Sequence, residues 1–141
     1  MLSPKKTKYR KWQTGRKHPE KRGAPAQRGI TLAFGSHGLK AVTPARITSN
    51  QIEAARRVIV RAAGKGAKMW IRVFPDRPVT RKAAEVGMGK GKGDLDHYVV
   101  EVRPGRVLFE VDGASDSTAR EALRKAGMKL PVKIKVIERG E

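Results

Sequence analysis

The stretch with the most distinctive chemistry is residues 87–93, which read GMGKGKG. Glycine occupies every second position, and Lys90 and Lys92 lie between three of these glycines. Glycine loses more backbone freedom on folding than any other residue, so the stretch is poorly suited to a helix or a strand. A bare backbone with two ammonium groups can instead approach a phosphate chain closely and present N–H donors to it. The stretch predicts a loop that contacts a large polyanion, and the alternative is a flexible linker.

The known nucleotide-binding motifs do not fit this loop. A phosphate-binding P-loop requires a glycine five positions before a Gly-Lys pair and a Ser or Thr directly after the lysine. Here no glycine lies at that distance, and no Ser or Thr follows Lys92. The loop also lacks the preceding strand and following helix of a dinucleotide fingerprint. The three histidines share no metal-ligand spacing, and we expect surface or RNA-facing positions for His18, His37 and His97. We therefore predict no enzymatic activity, no metal site and no cofactor.

The composition of the chain indicates a nucleic-acid partner. Its 141 residues include 32 Lys or Arg against 13 Asp or Glu, which gives a net charge of +19. The isoelectric point near 11.0 exceeds the value of about 9 above which nucleic-acid binding is typical. The length suits one domain, and no segment approaches the ~20 apolar residues of a membrane span. We expect a cytoplasmic protein without a membrane partner, and an organellar location is the alternative.

Residues 1–28 differ in composition from the rest of the chain. They contain ten Lys or Arg and a single acid, Glu20, and too few apolar residues to form a core. Tyr9 and Trp12 are interspersed among the charges, as in many nucleic-acid-binding segments. We interpret this segment as an extended RNA-binding arm, and the alternative is a solvated tail. The basic residues assigned to RNA contact here are Lys5, Lys6, Lys8, Arg10, Lys11 and Arg16.

Residues 48–63 give the clearest helix pattern. Thr48 is a suitable N-cap, and Gln51 three residues later completes a capping box. Apolar residues recur at helical spacing on one face, and Gly64 ends the pattern. The other face carries arginines for which RNA contact and a solvated surface are both open: Arg56, Arg57 and Arg61.

Alternating apolar residues predict the strands. They span residues 30–34, 39–43, 68–74, 97–102, 106–111 and 132–137. The Pro104-Gly105 pair predicts that the fourth and fifth of these strands form a hairpin. A second helix is expected over residues 116–126, with Ser115 as its N-cap. This mixture of strands and helices predicts a two-layer α+β domain.

Several stretches match one known family in order and spacing, almost from end to end. They read MLSPKKTKYRK, FGSHGLKAV, ITSNQIEAARR, WIRVFPDRPVTRK, MGKGKG, PGRVLFEVDG, AREAL and KLPVK. In these stretches the chain resembles the family of bacterial large-ribosomal-subunit protein sixteen. The resemblance implies a single α+β domain of the α/β-hammerhead type over residues 29–141, preceded by the basic arm.

The resemblance also implies a function. It suggests a structural protein that binds the large-subunit (23S) ribosomal RNA and helps to form the aminoacyl-tRNA site near the peptidyl-transferase centre. The implied partners are this RNA, aminoacyl-tRNA and neighbouring ribosomal proteins. On the motifs that match, the residues of the tRNA-facing loop would be Arg81, Lys82, Met88, Lys90 and Lys92.

The sequence departs from the family pattern at two places. Many relatives have arginine immediately before MGKGKG, where this chain has Gly87, and residues 18–28 differ from the short linker expected.

Two other functions remain open on the residues alone. A free-standing nucleic-acid chaperone or DNA-binding protein would have the same charge, and a small nucleotide-using enzyme would need a catalytic group that we do not find.

Overall fold

The fold consists of two antiparallel sheets and two helices that share one apolar core. The structure is a computed structural model that describes residues 2–11, 25–82, 89 and 91–140. Within these residues the elements are β1 (His37–Ala41), β2 (Ala45–Thr48), α1 (Ser49–Ala63), β3 (Lys68–Ile71), β4 (Arg77–Arg81), β5 (Asp94–Val102), β6 (Val107–Asp112), α2 (Asp116–Gly127) and β7 (Ile134–Glu138). One sheet has the order β3-β6-β1-β7 and the other β2-β5-β4, so the predicted α+β class is confirmed.

Helix α1 begins with the predicted capping box. The N–H of Gln51 donates to the Thr48 hydroxyl across 3.2 Å, and the N–H of Thr48 donates to the Gln51 side-chain oxygen across 2.9 Å. Two backbone donors at the helix start are thereby satisfied. The helix ends at Ala63, and Gly64 follows with a φ of 86°. The predicted apolar face is buried through Ile52, Ala55 and Ile59.

Helix α2 packs against α1 and against strands β1 and β7. The hydroxyl of Ser115 accepts the N–H of Thr118 across 3.3 Å, which confirms the predicted N-cap. The predicted apolar stripe is buried and consists mainly of small side chains, which let the two helices lie close together. Its members are Ala119, Ala122, Leu123 and Ala126.

Residues 30–34 do not form the predicted first strand. The N–H groups of Ala33, Phe34 and Gly35 all donate to one carboxylate oxygen of Glu110, at 3.0, 2.9 and 2.9 Å. These backbone donors are therefore satisfied without a neighbouring strand. Strand β1 begins instead at His37, which the sequence pattern placed in a turn, and it runs between β6 and β7.

The Pro-Gly turn forms, but the predicted hairpin does not. The N–H of Arg106 donates to the carbonyl of Arg103 across 3.2 Å, and Gly105 has the positive φ, 98°, that the third position of a type II turn requires. Strand β5 nevertheless pairs with β2 and β4, whereas β6 pairs with β1 and β3. The N–H of Ala41 donates to the Arg106 carbonyl across 2.9 Å, so a distant segment pairs with the turn.

Strands β2 and β4, on either side of β5, are absent from the predicted set. Strand β4 includes Pro78, which has no N–H to donate and argues against a strand in the sequence. Because β4 is an edge strand that pairs only with β5, there is no strand on its other side that would need this donor. Among the residues that the structure describes, no helix has the length and apolar character needed to cross a bilayer.

Candidate nucleic-acid interface

The glycine loop connects the two strands of a real hairpin, β4 and β5. Arg81 pairs with Asp94 at the end of this ladder, so residues 82–93 form the connection. Gly89 and Gly91 have positive φ angles of 96° and 91°. In the described part of the chain, a Cβ atom added to either glycine would meet nothing within 4 Å. The backbone here is bare, as the alternating glycines predict.

The side chains predicted to face tRNA are placed only in part. Arg81 and Lys92 are exposed and Lys82 is half-buried, and all three lie where the loop joins its strands. The structure does not describe Met88 or Lys90, nor Gly87, where the sequence departs from the family pattern. The hairpin therefore brings three of the five predicted residues to the base of one loop.

The predicted basic arm contacts this same loop base through Arg10 and Lys11. The ammonium group of Lys11 donates to the carbonyl oxygen of Lys92 across 3.5 Å, and Arg10 Nη2 lies 3.6 Å from Asp94 Oδ1. Both side chains of the second pair are largely exposed, so the pair adds little to stability. The remaining described lysines of the arm, Lys5, Lys6 and Lys8, are exposed, whereas Arg16 lies outside the described residues.

The three arginines of α1 are not equivalent. The Arg56 guanidinium makes two hydrogen bonds to Glu53, at 2.9 and 2.5 Å, and Arg57 Nε lies 3.3 Å from the same carboxylate. The hydrogen bond from Arg56 is the main reason that the pKa of Glu53 is lowered to about 2. Arg61 is exposed and makes no ion pair within the described ranges. Arg61 is therefore the α1 arginine most available to a phosphate.

A half-buried carboxylate holds the sheet that carries the loop. Glu101 of β5 is bonded to Arg77 of β4, and Arg46 Nη2 of β2 lies 3.8 Å from the same Glu101 oxygen. Arg77 is only 6% exposed. Since each strand contributes one charged group, this cluster joins β2, β5 and β4 at the end of the hairpin opposite the glycine loop.

The chain matches the family model for ribosomal protein L16p/L10e over residues 4–137. The chain belongs to the ribosomal protein L16p/L10e family. It is 55% identical over 139 residues to the large ribosomal subunit protein uL16 of Caulobacter vibrioides, which covers 99% of this chain and 94% of that relative. It is 53% identical to the uL16 protein of Cereibacter sphaeroides, over 99% of this chain and 98% of that relative.

Three hydrogen-bonded side chains in this L16p/L10e member, Ser36, His37 and Asp116, have the residue types of a hydrolytic triad. Ser36 Oγ lies 2.9 Å from His37 Nδ1, and His37 Nε2 lies 2.8 Å from Asp116 Oδ1. However, the imidazole is shielded, because His37 is only 6% exposed, and the Ser36 hydroxyl also lies within 3.4 Å of the Val111 carbonyl. We interpret these three side chains as structural, in keeping with a family of ribosomal proteins rather than enzymes.

The same histidine corrects one expectation from the sequence. His37 is buried, not at the surface, and it forms a cluster with Asp116 and Glu138 whose possible ligand atoms lie within 4.8 Å of one another. Arg120 already pairs with both carboxylates, at 3.1 and 3.2 Å. The hydrogen bond from His37, with that from Arg120, lowers the pKa of Asp116. The cluster links β1, β7 and α2, and both of its carboxylates are paired with Arg120.

Sequence reasoning missed Glu110 and Arg72. Glu110 is fully buried in β6, where it is bonded to Arg72 as well as to the three backbone N–H groups described above. The signal was an isolated acid within the strand Val107–Asp112, whose other residues before the final Asp112 are all apolar. A carboxylate in that position must be paired if it is buried, which predicts a basic partner in a neighbouring strand.

Proposed function

We propose that this chain is a structural protein of the large ribosomal subunit that binds its RNA and helps to form the aminoacyl-tRNA site. The observation that carries the proposal is the family match over residues 4–137. The relatives from Caulobacter and Cereibacter are named as large-subunit proteins. The net charge of +19 suits a position within a polyanion, and binding is expected to include the large-subunit (23S) RNA and neighbouring ribosomal proteins.

We infer that the arm and the helix supply attachment. Residues 1–28 act as an extended basic arm, and residues 29–141 form a domain of the hammerhead type. Within the arm, Lys5, Lys6 and Lys8 are exposed and take part in no ion pair among the described residues. Each is available to displace a counterion from a phosphate, and Arg16 and Arg61 are proposed to act in the same way.

The glycine loop is proposed to contact aminoacyl-tRNA. Gly89 and Gly91 leave the backbone bare, and Lys92 is exposed beside them. Only a small share of the total charge lies in this loop, so its loss should leave most of the attachment in place. Its proposed tRNA-facing residues are Arg81, Lys82, Met88, Lys90 and Lys92. The presence of Gly87, where many relatives have arginine, removes one side chain from this proposed surface.

Sedimentation of the full chain tests the proposal. A tagged copy expressed in bacterial cells should comigrate with large subunits in a sucrose gradient and remain bound after a high-salt wash. A variant with Lys5, Lys6 and Lys8 changed to Ala should be lost at a lower salt concentration, because attachment scales with the number of neutralised phosphates. A variant with Lys129, Lys133 and Lys135 changed to Ala is the matched control, since it removes the same number of exposed lysines outside the arm. Wild-type protein that remains at the top of the gradient would contradict the proposed function.

A further inference from the structure

An exposed aromatic ring stands on a rigid base at the outer side of strand β3. Phe34 is 55% exposed, and its ring is stacked on that of Trp70, with centroids 5.8 Å apart and planes inclined by 19°. The guanidinium carbon of Arg72 lies 5.5 Å from the centroid of the Phe34 ring. A ring that is supported on one side and open to solvent can stack with a further flat ring.

The backbone around Phe34 is held from three directions. Glu110 accepts the N–H of Phe34 across 2.9 Å, as well as the N–H groups on either side. Arg72 donates to the carbonyl of Thr31 across 3.2 Å, and Arg139 donates to the carbonyl of Gly35 across 2.8 Å. These contacts place the ring before any partner arrives, which reduces the entropy lost on binding.

The charges beside the ring indicate the chemistry of its partner. Arg72 and Arg139 both lie next to the segment that carries Phe34, and Arg106 donates to the carbonyl of Arg72 across 3.0 Å. Glu110 is fully buried and offsets the charge of Arg72, so the exposed Arg139 is the guanidinium most available to a partner. A flat apolar face next to guanidinium groups fits a nucleic-acid base with its phosphates, since single-stranded RNA is bound by stacking on aromatic rings and by basic groups.

We propose that Phe34, supported by Trp70, is a stacking site for one unpaired RNA base. The inference rests on the proposed function and adds its mode of recognition. The site takes a base that has left its helix, and the exposed Arg139 contacts a flanking phosphate. Duplex RNA does not use the site because its bases are already stacked on one another.

Binding of short RNAs to the full chain tests the inference. The probes are a 12-nucleotide oligoadenylate, an abasic chain of equal length and a 12-base-pair duplex, at several salt concentrations. Phe34→Leu keeps an apolar side chain over Trp70 but removes the ring, so we expect roughly 5- to 30-fold weaker binding of oligoadenylate. The slope of affinity against salt should not change, because no phosphate contact is lost. Binding of the abasic chain and the duplex should be unaffected.

Three further proteins separate stacking from a structural role. Phe34→Trp keeps an aromatic ring, so it should bind oligoadenylate at least as tightly as wild type does. Phe74→Leu is the matched control, because Phe74 is also exposed, at 43%, and this substitution should have no effect. In a Trp12→Phe background Trp70 is the remaining tryptophan of the two in the chain, and oligoadenylate should change its fluorescence more than the abasic chain does.

The outcomes distinguish this inference from the proposed function. Equal losses for all three probes, or no loss in Phe34→Leu, would overturn the stacking site and leave the ribosomal role intact. Normal oligoadenylate binding with reduced occupancy in large subunits would also overturn it, since Phe34 would then contact a neighbouring protein. Failure of wild-type protein to bind any of the RNAs would count against both.

Discussion

The main chain of Gly93 packs directly on the main chain of Arg81, so closely that a Cβ atom on Gly93 would lie 2.6 Å from the Arg81 carbonyl carbon. This contact closes the ladder of β4 and β5 at the base of the glycine loop. Glycine at position 93 is therefore required by space, whereas Gly89 and Gly91 have open surroundings and positive φ angles. The alternating glycines thus have two different physical roles.

Gly93→Ala should destabilise the hairpin. We expect the free energy of unfolding to fall by about 1–3 kcal/mol, because the backbone of Arg81 must move to accommodate the methyl group. Urea unfolding followed by circular dichroism measures this change. Gly66→Ala is the matched control, since a Cβ there meets nothing within 4 Å, and its stability should change by less than about 0.5 kcal/mol or rise slightly. Equal effects of the two substitutions would show that the contact at Gly93 is not tight.

Thr48→Ala should remove one side of the capping box of α1. The expected loss is about 1 kcal/mol, the usual cost of a lost N-cap, because the N–H of Gln51 loses its acceptor. Thr48→Ser retains the hydroxyl and should stay close to wild type. The unfolding midpoints of the three proteins give the comparison. An unchanged midpoint in Thr48→Ala would show that the Thr48 cap does not stabilise the helix.

The helices could be predicted because their signals are local. The partner of Thr48 lies three residues away, and the partner of Ser115 is equally near, so the sequence contains the whole motif. The predicted hairpin over residues 97–111 was wrong because its signal was only partly local. Its turn is local, but the choice of strand partners depends on Ala41, which is more than sixty residues from Arg106 in the chain.

The interface shows the same limit. Composition singles out residues 1–28 and 87–93 separately, but the hydrogen bond between Lys11 and Lys92 joins residues 81 positions apart. Phe34 ends the predicted strand over residues 30–34, because the sequence ITLAF is rich in β-formers. The side chain of Glu110 instead binds that backbone, and no pattern within residues 30–34 shows the position of a carboxylate so distant in sequence.

Glu110 should make stability depend on acidic pH. Burial alone would raise the pKa of Glu110, but the N–H groups of Gly35 and Phe34 together with Arg72 outweigh it, and the pKa is lowered. The unfolded chain therefore binds a proton near pH 4.3 while the folded carboxylate does not. The stabilisation is complete above that pH and is lost as the pH falls through the lower folded pKa.

Comparison with Glu110→Gln isolates this contribution, since the other carboxylates remain in both proteins. At pH 7 the variant should be about 3–5 kcal/mol less stable, because Arg72 is left as an uncompensated, mostly buried charge. Below about pH 4.5 wild type should lose stability more steeply than the variant. Urea unfolding from pH 7 to pH 3 measures both, and parallel pH profiles would contradict the assignment.

Arg61 and Arg56 should differ in their contribution to RNA attachment. Arg61→Ala should reduce the salt dependence of RNA binding by about one unit of slope if Arg61 contacts a phosphate. Arg56→Ala should reduce it less, because that guanidinium already binds Glu53 at 2.9 and 2.5 Å. Binding isotherms at four salt concentrations provide the slopes, and a larger effect at Arg56 would reverse the assignment.

The central claim is that the loop acts on tRNA while other basic residues attach the protein to the subunit. A Lys90→Ala, Lys92→Ala double variant removes only two of the 32 basic residues of the chain, so it should still occupy large subunits. A Lys129→Ala, Lys133→Ala variant has the same net charge and serves as the control.

The decisive measurement is the rate and affinity of aminoacyl-tRNA binding to purified subunits whose occupancy by each variant is known. We expect normal occupancy for both variants and weaker or slower tRNA binding for the loop variant alone. Loss of occupancy in the loop variant would make the loop an anchor. Wild-type tRNA kinetics in fully occupied particles would make it a spacer, and either result would contradict the account.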